Sequence, residues 1–148
     1  CGQRNPGCRV NFCWECVMSK VDDLIRDRLS KDGEVLSLKA QFLREVGAKE
    51  LAENETMKGV RALDLSQNSI GDEGVKAIAE SALFVNLRTL NLASNSISDV
   101  GAKYLATSKT LTSLRSLQLV VNDISEDGEK ILRNSTDLTQ LTSLKFRV

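Results

Sequence analysis

A phrase of nine residues recurs along this chain at a fixed step: Val60-x-x-Leu63-x-Leu65-x-x-Asn68, then Leu87-x-x-Leu90-x-Leu92-x-x-Asn95, then Leu114-x-x-Leu117-x-Leu119-x-x-Asn122. The starts lie 27 residues apart, and one further step falls on Leu141-x-x-Leu144-x-Phe146. A constant period of this length restricts the chain to a solenoid, because one such unit cannot bury its apolar face alone and must cover it with its neighbours. Within the phrase Leu63 and Leu65 alternate with Ala62, Asp64 and Ser66, the period of a half-buried strand, so the leucines face inward and the others outward. Asn68, Asn95 and Asn122 stand where each strand ends, and inward amides there are suited to pairing with backbone groups that would otherwise be buried unsatisfied.

The rest of the unit repeats as well. Gly74, Gly101 and Gly128 keep the same step, and one step back is Gly47, followed by Ala48-Lys49-Glu50-Leu51-Ala52 in the manner of Gly101-Ala102-Lys103-Tyr104-Leu105-Ala106. A degenerate unit therefore precedes the obvious ones, with Leu36 and Leu38 in register but Gln41 in the asparagine position and Gly33 in the leading aliphatic position, a departure expected of an end unit. The units are 33–59, 60–86, 87–113, 114–140 and a partial 141–148. Ser98 and Ser125 are predicted helix N-caps, with Asp99, Glu126 and Asp127 in the first turns, where the helix dipole favours negative charge. Leu51, Ile78, Leu105 and Leu132 form one predicted inward column, and Met57, Phe84, Leu111 and Leu138 a second.

The pattern Leu-x-x-Leu-x-Leu-x-x-Asn-x-Ile followed by Gly-x-x-x-Leu-Ala, over residues 33–148, resembles leucine-rich repeats of the ribonuclease-inhibitor-like class. The resemblance implies an α/β horseshoe, with short parallel strands on the concave side and helices on the convex side. Ahead of the repeats, Val17, Met18, Val21, Leu24, Ile25 and Leu29 recur at helical spacing opposite Lys20, Asp22, Asp23, Arg26 and Asp27, so residues 17–32 read as an amphipathic capping helix closed by an Asp32-Gly33 turn.

All four cysteines lie in residues 1–16, at Cys1, Cys8, Cys13 and Cys16. Cys13-x-x-Cys16 is the close spacing by which a turn offers two thiolates to one ion, and with Cys1 and Cys8 it makes a four-sulfur set suited to structural zinc. Cys1-Gly2, Asn5-Pro6 and Phe12-Cys13-x-x-Cys16 resemble the later part of a zinc ribbon, without the further cysteine usual before the position of Cys1, so the element reads as truncated. Phe12-Cys13-Trp14-x-Cys16 also resembles the close of an in-between-RING zinc domain. A pair of disulfides is the alternative, toward which the sequons Asn54-Glu55-Thr56 and Asn134-Ser135-Thr136 lean; the short Cys13–Cys16 spacing favours metal. The chain begins on Cys1, without an initiator Met or leader, and is expected to be a processed or trimmed piece.

Twenty basic residues balance twenty acidic ones, there is no histidine, and no apolar run approaches a membrane span. Neither nucleic acid nor membrane is an expected partner, and the commonest general base is missing. No nucleophile–base pair, acid pair or phosphate loop appears, so the chain is expected to be no enzyme but a module that binds a protein partner. The variable positions are the outward strand columns: Ala62, Thr89, Ser116 and Ser143; Asp64, Asn91, Gln118 and Lys145; Ser66, Ala93, Val120 and Arg147. These grade from acidic at the early end to basic at the late end, and they are the candidate partner-binding residues. Arg61, Arg88 and Arg115 form a further row, and Lys49, Lys76, Lys103 and Lys130 another; both read first as solvated faces. A cytoplasmic location is expected. The alternatives are a substrate-selecting fragment of a zinc-domain ubiquitin ligase and an extracellular receptor fragment with a disulfide cap. Leu141, Leu144 and Phe146, with no following unit, are expected to fray or to support self-association.

Overall fold

The computed structural model describes residues 14–146, with side chains from Val21 onward. A helix, α1 (Trp14–Arg28), leads into five strands: β1 (Val35–Ser37), β2 (Ala62–Asp64), β3 (Thr89–Asn91), β4 (Ser116–Gln118) and β5 (Ser143–Lys145). Helices follow the first four in turn: α2 (Arg44–Ala52), α3 (Gly71–Glu80), α4 (Asp99–Ala106) and α5 (Glu126–Arg133). The strands make one parallel sheet in chain order, and the register advances by one repeat at each step, with Leu36 opposite Leu63, Leu90, Leu117 and Leu144 in succession. Strands of three residues suffice because the bonding continues past both ends. The Arg61 carbonyl accepts from the N–H groups of Arg88 (2.7 Å) and Thr89 (3.0 Å), and the N–H of Leu65 donates to Asn91 (2.9 Å).

The core is built from four kinds of inward position. The paired strand leucines meet Leu51, Ile78, Leu105 and Leu132 from the helices and Met57, Phe84, Leu111 and Leu138 from the returning segments; none of these eight is more than 5% exposed. Both inward columns expected from the sequence are thus core. Phe84 is the largest side chain fully enclosed, and the strong apolar burial of so many leucines supplies most of the drive to fold.

The asparagines show how the repeats are tied together. Asn95 Oδ1 accepts from the N–H groups of Asn68 (2.9 Å) and Ile70 (3.4 Å), while its Nδ2 donates to the carbonyls of Leu65 (2.9 Å) and Ala93 (3.2 Å). Asn122 serves Asn95 and Ile97 in the same way, and Asn68 serves Gln41 and Leu43. Each amide thus works for the repeat before it. That direction explains Gln41: an asparagine there would have no earlier repeat to serve, and the Gln41 amide instead donates only to the nearby Lys39 carbonyl (2.9 Å). The bend around each amide requires left-handed backbone at the preceding residue, with φ between 56° and 58° at Ala40, Gln67, Ser94 and Val121. For the β-branched Val121 this conformation is costly.

Two further ladders carry the same period. Ser98 and Ser125 cap their helices by accepting from the N–H groups of Val100 (3.3 Å) and Asp127 (3.2 Å). Each also donates backward: Ser98 N–H and Oγ to Asp72 (2.8 and 2.5 Å), and Ser125 N–H and Oγ to Asp99 (2.7 and 2.6 Å). Asp99 therefore does more than face its own helix dipole; it holds the start of the next helix. Those hydrogen bonds stabilise its carboxylate and depress its pKa below the ordinary aspartate value, the Ser125 side chain contributing most. The glycine column acquires its reason here, since a Cβ on Gly101 would lie 2.5 Å from Ile97 Cγ2 and 2.6 Å from Asp72 Oδ1. On the returning segments Ser81, Ser108 and Ser135 donate to the carbonyls of Ala52 (2.5 Å), Ala79 (2.6 Å) and Ala106 (2.5 Å) of the preceding helices.

At the front of the sheet α1 takes the place of a preceding repeat. It packs on α2 and β1, with Val21 and Ile25 buried in the core. Asn54, which occupies the serine position of the returning segments, donates to Asp22 of α1 (2.8 Å). The helical backbone extends three residues ahead of the apolar stripe that begins at Val17, because a stripe marks the buried face rather than the first turn. The chain leaves α1 through a turn in which the Gly33 N–H bonds the Ser30 carbonyl (2.9 Å) with Gly33 at φ +76°, a conformation that glycine adopts without strain.

Candidate protein-interaction face

Alternation along β1–β5 turns one side chain of each pair of neighbours inward and leaves the other on the outer strand face. The hydrogen-bonded register aligns the outward residues in columns: Val35, Ala62, Thr89, Ser116 and Ser143 in one, and Ser37, Asp64, Asn91, Gln118 and Lys145 in the next. Val35, Ser37 and Lys39 are exposed members that belong to these columns and to the third, and stepping back by one period from Ala62, Asp64 and Ser66 would have found them. Lys39 at the early end also corrects the expected gradient of charge, since a basic residue stands there beside the acidic Asp64.

Two residues of the expected face differ in what they offer. Ser66 is only 5% exposed. Its N–H and Oγ both donate to Asp64 Oδ1 (2.9 and 2.7 Å), a local turn that withdraws the serine from the surface and fixes the carboxylate. Asn91 makes the equivalent turn through the Ala93 N–H (3.0 Å). Thr89, Ser116, Gln118, Ala93, Val120 and Ser143 are half-buried, and Lys145 is exposed. Arg147 lies outside the described residues.

Beside the first column runs the arginine row. Arg61, Arg88 and Arg115 each stand one residue before an aligned strand and are exposed. Arg61 pairs with Glu34, which occupies the same position in the first repeat, at 3.4 Å. Among the described residues Arg88 and Arg115 make no ion pair. The lysines of the helical side are engaged locally in part, Lys49 with Glu45 at 2.5 Å and Lys76 over the ring of Tyr104 at 5.6 Å.

Of the cysteines, Cys1, Cys8 and Cys13 lie outside the described residues, and Cys16 is the third residue of α1. Among the described residues no group of three or more histidine, cysteine, aspartate or glutamate side chains is gathered, and no helix is long and apolar enough to cross a membrane. No buried side-chain polar atom among them lacks a hydrogen-bond partner. The polar groups inside the solenoid are therefore committed to holding it together, and the groups free to meet a ligand are on its surface.

Five parallel strands alternating with helices, stacked at a 27-residue step around inward leucines and an asparagine ladder, define a leucine-rich repeat solenoid. The family model described as Leucine Rich repeat matches residues 60–79 and 85–106. Among solved structures the chain is similar to "Leiomodin-1 Actin-Binding Site 2 (ABS2)", with a TM-score of 0.66 at 14% sequence identity, over 94% of this chain and 82% of that one. No curated protein matches the sequence significantly.

Proposed function

We propose that this chain is a non-enzymatic interaction module that reads a protein partner on the concave strand face of a solenoid of the ribonuclease-inhibitor-like class. The observation that carries the reading is the in-frame alignment of variable outward residues on a recurring apolar inward frame. Strands about 4.8 Å apart turn each column into a continuous stripe, so one partner can touch several repeats at once. An α-helix in every complete unit supports the class. Small and amide side chains dominate the stripe and aromatic anchors are absent from it, which favours contact by many modest interactions over a few dominant ones.

The test is partner capture by the wild-type chain against Asp64→Lys and Gln118→Glu, with folding checked by circular dichroism. Loss of the same captured protein in both variants supports the face, and capture unaffected by either overturns it. Actin is a direct candidate for the same binding experiment, since the similar structure is an actin-binding site.

We also propose that Cys1, Cys8, Cys13 and Cys16 hold a structural zinc ion. The donor set suits it, with four thiols and the start of α1 at Trp14 dividing Cys13 from Cys16; a helix N-terminus favours thiolate over thiol. Metal analysis with thiol counting checks this, and two disulfides without zinc would sink it and favour the extracellular alternative.

A further inference from the structure

We propose that the row Arg61, Arg88 and Arg115 receives an acidic helix of a protein partner, lying across the strands with its carboxylates on successive arginines. The inference deepens the strand-face reading, on which it rests, by naming the chemistry of what is bound. The register places the three residues on neighbouring turns in line, each one residue before the column of Ala62, Thr89 and Ser116. Like charges on adjacent strands repel each other, and nothing in the fold requires them, for the same position holds Glu34 in the first repeat and Thr142 in the last. Glu34 demonstrates the complementary contact within the chain itself, its carboxylate meeting Arg61 at 3.4 Å. Arg88 and Arg115 have no such partner among the described residues and present their guanidinium groups outward.

Spacing selects the shape of the partner. Three arginines on adjacent strands span about 9.6 Å. Acidic residues at positions i, i+3 and i+7 of a helix span about 10.5 Å, whereas three on one face of an extended chain span about 13 Å. The neighbouring column of Ala62, Thr89, Ser116 and Ser143 is made of small side chains, which lets a helix approach the strands closely while the longer arginines reach up to its flank. An acidic protein segment is favoured over a nucleic acid because the chain as a whole carries no net charge and the strand columns hold no aromatic ring on which a base could stack.

The experiment is a fluorescence titration of the full chain with a labelled helix-forming peptide that carries glutamate at every third and fourth position on one face. Binding is expected to weaken with added salt, to vanish for the same peptide with glutamine in place of glutamate, and to fall about tenfold in the double variant Arg88→Gln and Arg115→Gln, the loss of two exposed charge pairs. Equal binding by wild type and double variant overturns the proposal, as does tighter binding of a single-stranded RNA of similar length. The two readings separate cleanly. Partner capture lost in Gln118→Glu, with the acidic peptide ignored, removes the arginine assignment and leaves the strand face standing, whereas capture unaffected by the strand variants removes the strand face itself.

Discussion

Replacing Asn95 by alanine should be among the most damaging single changes available in this fold. Asn95 is fully buried, and its loss strips the acceptor from the N–H groups of Asn68 and Ile70, bonded at 2.9 and 3.4 Å. The carbonyls it donates to are left better provided, since Leu65 keeps the Asn68 amide (2.9 Å) and Ala93 keeps the Gln67 N–H (3.0 Å). One buried donor orphaned outright and a second with a longer bond lost come to about 3 kcal/mol. That is a large share of the roughly 5–15 kcal/mol by which domains are stable. The same change at Gln41, in the same column but serving no earlier repeat, should stay within about 0.5 kcal/mol of wild type. Asn122→Ala should fall between, because that side chain is only half-buried and water can replace it. Urea unfolding followed by circular dichroism, with free energies from linear extrapolation, measures all three. A cost for Asn95→Ala below about 1 kcal/mol, or an equal cost for Gln41→Ala, would refute the backward-serving ladder.

Three other expectations follow from the same geometry. Gly101→Ala should destabilise by about 1–3 kcal/mol, because its Cβ would meet both Ile97 and Asp72 below 3 Å, while Gly59→Ala, whose Cβ finds only the Gly33 carbonyl at 3.6 Å, should be neutral or slightly stabilising in the same urea assay. Val121→Asn should raise the thermal midpoint, relieving about 1 kcal/mol of left-handed strain at a residue that is 65% exposed; an unchanged or lower midpoint would count against that strain. Asp99 has a depressed folded pKa, so its contribution is present above the ordinary aspartate range and is lost as pH falls through its lower folded value. Acid titration of stability should therefore be shallower in Ser125→Ala than in wild type below about pH 4, and identical profiles would remove the Asp99–Ser125 link.

Much of the architecture was legible because a solenoid writes its fold in a period. Leu63, Leu90 and Leu117 recur at the step that brings them into register, and Gly47, one period before Gly74, marks the degenerate first unit. The outward columns follow from strand alternation, but columns that start at Ala62, where the clear repeats begin, leave out Val35, Ser37 and Lys39 of the degenerate unit. Ser66 shares the outward parity and is nonetheless buried. Alternation fixes the direction of a side chain but does not show that Asp64 captures the serine hydroxyl and N–H.

The repeat, the inward frame and the identity of the positions free to vary are therefore written in the chain alone, since these depend on spacing along it. Who serves whom is set by the stacking of the turns. Asn68, Asn95 and Asn122 reach back one repeat, Asp72 and Asp99 reach forward to the serine that opens the next helix, and Asn54 reaches to α1 in place of an earlier unit. Such contacts join residues 25 to 32 positions apart in the chain. The sequence pattern marks them as periodic, but only the stacking of one turn on the next brings donor to acceptor and gives each a direction.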